Sequence, residues 1–168
     1  METNLIFLIW HQQNWLFFQN AGLGPIQGQA NHYLRYAAED LPYAKSRSQD
    51  EVRRLYSVLD KHLSSKASSY LVGEKCTIAD ISLWGWVTLS KWAGIELGEY
   101  PALERWEERM FERPGVKEGR QVPAPAEGGM GHQRELLRDP EKMRAFEERG
   151  RAFYRQQAED GMMTKQGV

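Results

Sequence analysis

The sequence predicts an all-α fold, a helical bundle with an extra C-terminal helix, on three observations. Strand signals are nearly absent, because no run of β-branched residues alternates with polar ones between turn residues. Apolar residues recur instead at helical spacing, as in Val52, Leu55, Tyr56, Leu59 and Leu63. Thr77-Ile78-Ala79-Asp80 has the spacing of a reciprocal capping box. In that motif the Thr77 hydroxyl accepts from the Asp80 amide, while the Asp80 carboxylate accepts from the Thr77 amide.

The first helical unit is predicted over about residues 5 to 19. Gly22-Leu23-Gly24-Pro25 should break or kink it, since Pro25 has no backbone N–H to donate. A second short helix, roughly Gly28 to Ala38, carries Tyr33, Tyr36 and Ala37. After Pro42 the Val52 to Leu63 stripe has Arg53, Arg54, Asp60 and Lys61 between its members, which describes an amphipathic helix with a solvated outer face. Ser64, Ser65, Ser68 and Ser69 make the loop that follows, and Gly73 can supply a turn with positive φ. The helix that starts at Thr77 carries Ile78, Ala79, Ile81, Leu83, Trp84, Trp86, Val87, Leu89 and Trp92 and has no wide polar face. Such a helix is expected to be buried all round.

Pro101 suits the first turn of the next helix, where Leu103, Trp106 and Met110 form one stripe, and Pro114 is expected to close it. Gln121 to Gly131 has no periodicity and reads as an irregular crossover. Asp139-Pro140-Glu141 then places an N-cap, a proline at the first helical position and an acid near the positive helix end. In that last helix Met143, Phe146, Phe153 and Tyr154 form a stripe able to pack on the bundle. Gly150 is a weak point there, costing about 1 kcal/mol against alanine. The mixed charges from Glu141 to Arg155 read as a solvated face, and the residues after Asp160 as a frayed end.

A chain of 168 residues is long enough for one domain that buries about two thirds of its unfolded surface. With 22 basic and 23 acidic side chains the formal charge is −1, so no global field favours nucleic acid or an anionic membrane. The partners expected on this ground are small molecules or proteins. A single cysteine, Cys76, rules out an internal disulfide and fits a reducing compartment. Cys76 precedes a helix start, which makes it a weak nucleophile candidate; a small buried thiol is the commoner case. The apolar run Leu5 to Trp10 is far shorter than the roughly 20 residues of a membrane span. The first residues also lack a secretory pattern, so the chain reads as cytoplasmic. His11, His32, His62 and His132 have no metal-ligand spacing, so no metal is expected. Gly22, Gly24 and Gly28 follow no strand and precede no lysine, which favours a helix break over a phosphate loop.

The segment from Tyr70 to Trp86, followed by Pro101-Ala102-Leu103-Glu104-Arg105-Trp106 and Arg113-Pro114-Gly115-Val116, resembles the C-terminal domain of glutathione transferases. Asn14-Trp15-Leu16-Phe17-Phe18-Gln19, Gly22 through Pro25 and Gly28-Gln29-Ala30 resemble the first helices of that domain in its fungal, nitrogen-regulator-like branch. The resemblance covers residues 14 to 116 well and the tail more loosely. It implies an atypical N-terminal segment (1–13), a transferase C-terminal-like helical domain (14–120), and a crossover with a C-terminal helical extension (121–168).

In that family glutathione is held mainly by a separate N-terminal thioredoxin-like domain. This sequence has no βαβ signal before Asn14 and no Glu-Ser or Asp-Ser pair. The resemblance therefore implies the helical half of a transferase without the thiol-binding half, and argues against ordinary conjugation by the isolated chain. Glutathione is the one cofactor the family implies, and its usual binding domain is absent. A face left uncovered in this way, with Leu5, Ile6, Leu8, Ile9 and Trp10 nearby, leads us to expect a homodimer or a protein partner.

By resemblance the family's electrophile pocket maps to the neighbourhoods of Trp15, Phe18, Asn20, His32, Tyr33 and Tyr36, with Arg35 beside them. His32 and Tyr36 are the catalytic candidates; Trp15, Phe18, Asn20, Tyr33 and Arg35 are the substrate-binding ones. For Trp15 and Phe18 a plain core role is the competing reading. The implied function is a glutathione S-transferase-like protein that binds a hydrophobic, electrophilic or polyunsaturated small molecule. The expected role is a tailoring enzyme of fungal secondary metabolism, acting by conjugation, isomerisation or cyclisation. The alternatives are a non-catalytic protein-interaction module or a truncated transferase relic.

Overall fold

The computed structural model describes residues 2–65, 69–122, 137 and 139–166. Ser68, His132 and nearly all of the expected crossover fall outside the described residues. Among the described residues there are helices and no strands, which gives the all-α fold expected.

The chain opens with a helical path that does not break. Helix α1 (Glu2–Phe17) runs into a π-helical turn (Phe18–Leu23), then α2 (Gly24–Asn31), then a second π-helical turn (His32–Tyr36). Of the break or kink expected at Gly22-Leu23-Gly24-Pro25, the break does not occur, and the helix departs from α geometry there instead. Phe17, Leu23 and Gly24 all keep right-handed helical angles, and the Gly24 amide donates to the Gln19 carbonyl, five residues back. A wider turn of this kind relieves the clash between a proline ring and the carbonyl four residues earlier, and Pro25 sits at the start of α2 where a missing donor is tolerated. The path ends where Ala37 turns extended, at ψ 133°.

Helix α3 (Pro42–Ser64) returns antiparallel to this path, since Tyr56 meets Gln27 while His62, further along, meets Trp15. Its inner face is the stripe expected, with Val52, Leu55, Tyr56, Leu59 and Leu63 all buried. Fully buried Gln27 ties three elements together: its Nε2 donates to the Trp86 carbonyl at 2.7 Å, and its Oε1 accepts from the Tyr56 hydroxyl at 3.0 Å.

Gly73, at φ +63°, makes the expected turn ahead of α4 (Ile78–Val87). The capping box is present. Asp80 does more than cap: its carboxylate accepts from the amides of Leu71 and Thr77, the Thr77 hydroxyl and the Trp106 indole, at 2.9 to 3.0 Å. Burial all round is not what α4 shows. Ile78 and Ile81 are more than half exposed, and the helix gives way after Val87 to 3-10 turns at Ser90–Ala93 and Leu97–Glu99. Helix α4 packs against α1 and α5, which leaves its Ile78–Ile81 edge uncovered.

Helix α5 (Pro101–Phe111) buries Leu103, Trp106 and Met110, as its stripe predicts. Its own N-cap offers no side chain, and Asp60 of α3 takes over, accepting from the amides of Ala102 and Leu103 at 2.7 and 3.0 Å. Helix α5 stops at Phe111 and Arg113 turns extended ahead of Pro114, which closes α5 as expected and also opens the short α6 (Pro114–Gly119). The last helix, α7 (Pro140–Gln166), starts where expected, with Asp139 Oδ1 accepting from the amides of Glu141 and Lys142. It continues to Gln166. Leu5 to Trp10 are all exposed, so the first turns of α1 do not fold away against the bundle.

Candidate functional site

The structure gathers His32, Tyr33, Arg35 and Tyr36 on one π-helical turn and lays α7 across it. A π-turn widens the helix and fans successive side chains over a broader arc, which suits a site. Tyr36 is its centre. Its hydroxyl accepts a hydrogen bond from the Trp92 indole at 3.2 Å, and its ring lies 5.2 Å from Tyr154 and 6.1 Å from Trp92. The His32 ring also meets Tyr154, at 5.8 Å, while Phe146 stands edge-on to Trp92. Burial pushes the Tyr36 hydroxyl above its ordinary pKa and outweighs the Trp92 hydrogen bond, which acts the other way. Tyr36 is therefore a neutral phenol at physiological pH, and with the indole donating to its oxygen its own proton is left to donate.

Arg35 is committed to the protein. Its Nε donates to the Trp92 carbonyl and one terminal nitrogen to the Lys91 carbonyl, each at 2.9 Å, while the other pairs with Glu147 of α7. The guanidinium also lies 5.1 Å from the centre of the Trp92 ring, and Arg151 donates back to the Arg35 carbonyl. The bonds that Arg35 donates use three of its five guanidinium N–H groups. The aromatic walls around Tyr36 suit an apolar molecule.

Gly150 explains how α7 comes so close. A Cβ at this position would lie 2.7 Å from the Tyr36 ring, so the glycine read from sequence as a weak point is a notch that seats Tyr36. Tyr154 and Phe146 follow the expected stripe, whereas Phe153 is 59% exposed and leaves it. Glu147 likewise leaves the solvated face assigned to it and turns inward to Arg35.

Trp15, Phe18 and Asn20 lie elsewhere. Trp15 stacks 4.4 Å from His62 and 5.2 Å from Phe18, both Trp15 and Phe18 pack against the core, and Asn20 is exposed. Fourteen residues of helical path separate Phe18 from His32, about 20 Å at the helical rise. The two halves of the candidate set therefore do not share one chamber. Trp92, Phe146, Glu147, Gly150 and Tyr154 were not read from sequence as site residues; the signal available was the aromatic stripe of α7 interrupted by one glycine.

Cys76 is half-buried, with its thiol 3.8 Å from the Met110 sulfur, and burial pushes its pKa up. It is not poised as a nucleophile. A separate groove of about 730 Å³ opens between the first helical path and α3, floored by Ala21, Gly22, Pro25 and Ile26 and flanked by Tyr43 and Arg47.

Residues 30–114 match the family described as glutathione S-transferase, C-terminal domain. The disulfide-bond oxidoreductase YfcG of Escherichia coli (strain K12) is 46% identical over 102 residues, covering 61% of this chain and 46% of that protein. The glutathione S-transferase-like protein tpcF of Aspergillus fumigatus is 35% identical over 116 residues, covering 62% of this chain and 52% of that protein. A solved glutathione transferase homolog from Lodderomyces elongisporus, carrying two GSH per subunit, superposes with a TM-score of 0.65 at 37% identity. That likeness covers 68% of this chain and 54% of the other. The chain spans about half the length of the curated relatives it matches.

Proposed function

The chain belongs to the glutathione S-transferase C-terminal domain family, and from that premise we propose that it binds a hydrophobic, electrophilic or polyunsaturated small molecule on the His32–Tyr36 turn. The observation that carries the reading is the neutral Tyr36 hydroxyl set among Trp92, Tyr154 and Phe146, an apolar wall with one polar tip. Tyr36 acts as proton donor to the bound molecule and His32, which shares the Tyr154 wall, as acceptor. Proton removal at one carbon and delivery at another is isomerisation, and the same pair serves cyclisation. Conjugation requires in addition a bound glutathione thiol within reach of that molecule.

The likeness to the fungal transferase-like protein tpcF is what supports a role of the tailoring kind in a fungal cell. No described helix is long and apolar enough to cross a membrane. We place the activity in the cytoplasm, with a second copy or another protein as partner. Disulfide exchange, the activity in the name of the bacterial relative, finds no poised thiol at Cys76.

A non-catalytic interaction module is the second reading, favoured by α7 already lying over Tyr36. Calorimetric titration with S-hexylglutathione and with glutathione tests both. The small-molecule reading expects saturable binding of the hexyl derivative, weakened about tenfold in Tyr36→Phe and in His32→Ala while the helical spectrum is unchanged. Absence of saturable binding by the folded wild type would leave the interaction module.

A further inference from the structure

Tyr154 touches both groups assigned to proton transfer: its ring lies 5.2 Å from Tyr36 and 5.8 Å from His32. It belongs to α7, outside residues 30–114 that match the transferase family. Among the described residues Tyr154 makes ring contacts and no hydrogen bond, and it is 42% exposed, so its hydroxyl is available to a molecule arriving from solvent. That hydroxyl lies close enough to the Tyr36 hydroxyl to raise its pKa by charge repulsion. Helix α7 presses on the side of the Tyr36 ring and not on its hydroxyl end. A Cβ at Gly150 would stand 2.7 and 2.8 Å from Cε1 and Cδ1, but 4.0 Å from Cζ, which bears the oxygen. With the Trp92 indole donating to the Tyr36 oxygen, two neighbouring O–H donors remain at this end of the site.

We propose that Tyr36 and Tyr154 together hold one carbonyl oxygen, so that the molecule bound on the His32–Tyr36 turn is a hydrophobic unsaturated ketone or aldehyde. The proposal rests on the small-molecule reading of this turn and narrows it. Two O–H donors are matched by one oxygen with two lone pairs. A carbonyl offers in addition what an ether lacks, because negative charge develops on its oxygen when a proton leaves the neighbouring carbon. The acid strength of Tyr36 points the same way. A phenol held above its ordinary pKa is too weak an acid to protonate an isolated alkene at carbon, whereas an enol is an acid of similar strength to a phenol.

The proton transfer then balances with no further reactant. His32 takes a proton from the carbon beside the carbonyl, the C–H electron pair becomes a C=C bond, and the carbonyl π pair moves to oxygen, which takes the Tyr36 proton. The product of this half is the enol. His32 returns its proton to the far end of the conjugated system and the enol oxygen returns its own to Tyr36, which shifts the double bond and restores both residues. Tyr154 stays protonated throughout, and its hydrogen bond strengthens as charge builds on the oxygen.

Two probes of one shape separate the oxygen from the apolar walls: 2-acetylnaphthalene, and 2-isopropenylnaphthalene, in which C=CH2 replaces C=O. Equilibrium dialysis compares them on wild type, Tyr36→Phe and Tyr154→Phe, with circular dichroism as the fold check, and infrared difference spectra follow the carbonyl stretch of the ketone on wild type. Wild type is expected to prefer the ketone about tenfold or more, and to lower its carbonyl stretch relative to hexane. Each phenylalanine variant is expected to lose most of that preference while holding the alkene as before. Equal binding of the two probes, or a carbonyl stretch at its hexane position, overturns the proposal and leaves the small-molecule site standing. A preference that survives either variant overturns the two-phenol clamp. If neither probe binds but S-hexylglutathione does, the proposal falls alone; if none of the three binds, the small-molecule reading falls with it.

Discussion

Asp80 concentrates more of the fold than any other side chain described: four donors from three segments converge on one carboxylate with no solvent exposure. An amide in its place accepts at only one oxygen and points donors at donors, so Asp80→Asn should cost about 3 kcal/mol, read as a lower urea midpoint. Thr77→Ala removes one cap and should cost about 1 kcal/mol. The Thr77–Asp80 partnership was legible because it is local, three residues apart; the bonds from Trp106 and Leu71 were not, because they exist only once α5 has packed on α4. Tyr56 shows the same limit. Its core position was readable from the stripe, its bond to Gln27 was not. Burial raises the Tyr56 hydroxyl well above its ordinary pKa, with the Gln27 hydrogen bond opposing. The unfolded chain therefore releases this proton first, near pH 10, and the stability Tyr56 contributes is intact below that pH and lost as pH rises toward the native value. Tyr56→Phe should flatten the alkaline limb of the stability profile by about one proton, measured by denaturant melts from pH 8 to 11.

Helix ends show where sequence reading succeeds and where packing overrides it. Asp139 was legible as a cap because its partners follow immediately, at Glu141 and Lys142. Helix α5 lacks a capping side chain of its own, and nothing near Pro101 hints that Asp60, on the outer face expected of α3, supplies one. Asp60→Ala should destabilise by about 1–2 kcal/mol with faster hydrogen exchange at the Ala102 and Leu103 amides, whereas Asp60→Asn should retain most of the effect. Pro25 is the reverse case. The missing donor was read correctly, and of the break or kink inferred from it the break does not occur, because an α-turn is not the only helical option. With buried Gln27 and the Trp86 carbonyl holding α2 in line, the chain widens into a π-turn instead. In α4 the apolar residues on every side suggested full burial, yet periodicity records what a helix could bury and not how many neighbours it has; Ile78 and Ile81 stay in water.

At the scale of the whole molecule, the bundle and its appended helix are separable in energy though joined at the candidate site. Among the described residues, every member of the buried core lies between Leu23 and Met110, and none comes from α7. What α7 contributes is local: the Glu147 pairing with Arg35, the Phe146 edge on Trp92, the Tyr154 contact with Tyr36 and the notch at Gly150. Such an arrangement explains why half the candidate site could be read from the His32–Tyr36 segment while its other wall could not. Spacing within a helix reports a stripe, but not which of several surfaces more than a hundred residues away receives it. The separation also has a measurable consequence. Removing residues 140–168 should leave a folded bundle with a cooperative melt lowered by only a few degrees, because the core loses no member. Gly150→Val should act at the same contact by steric exclusion, forcing α7 off Tyr36 while leaving every bundle residue in place. Hydrogen exchange is then expected to rise across residues 32–36 and 144–154 in the valine variant, with the amides of α3 and α5 unchanged. If the shortened chain loses its cooperative transition instead, α7 is part of the fold's stability and the division drawn between bundle and appended helix is wrong.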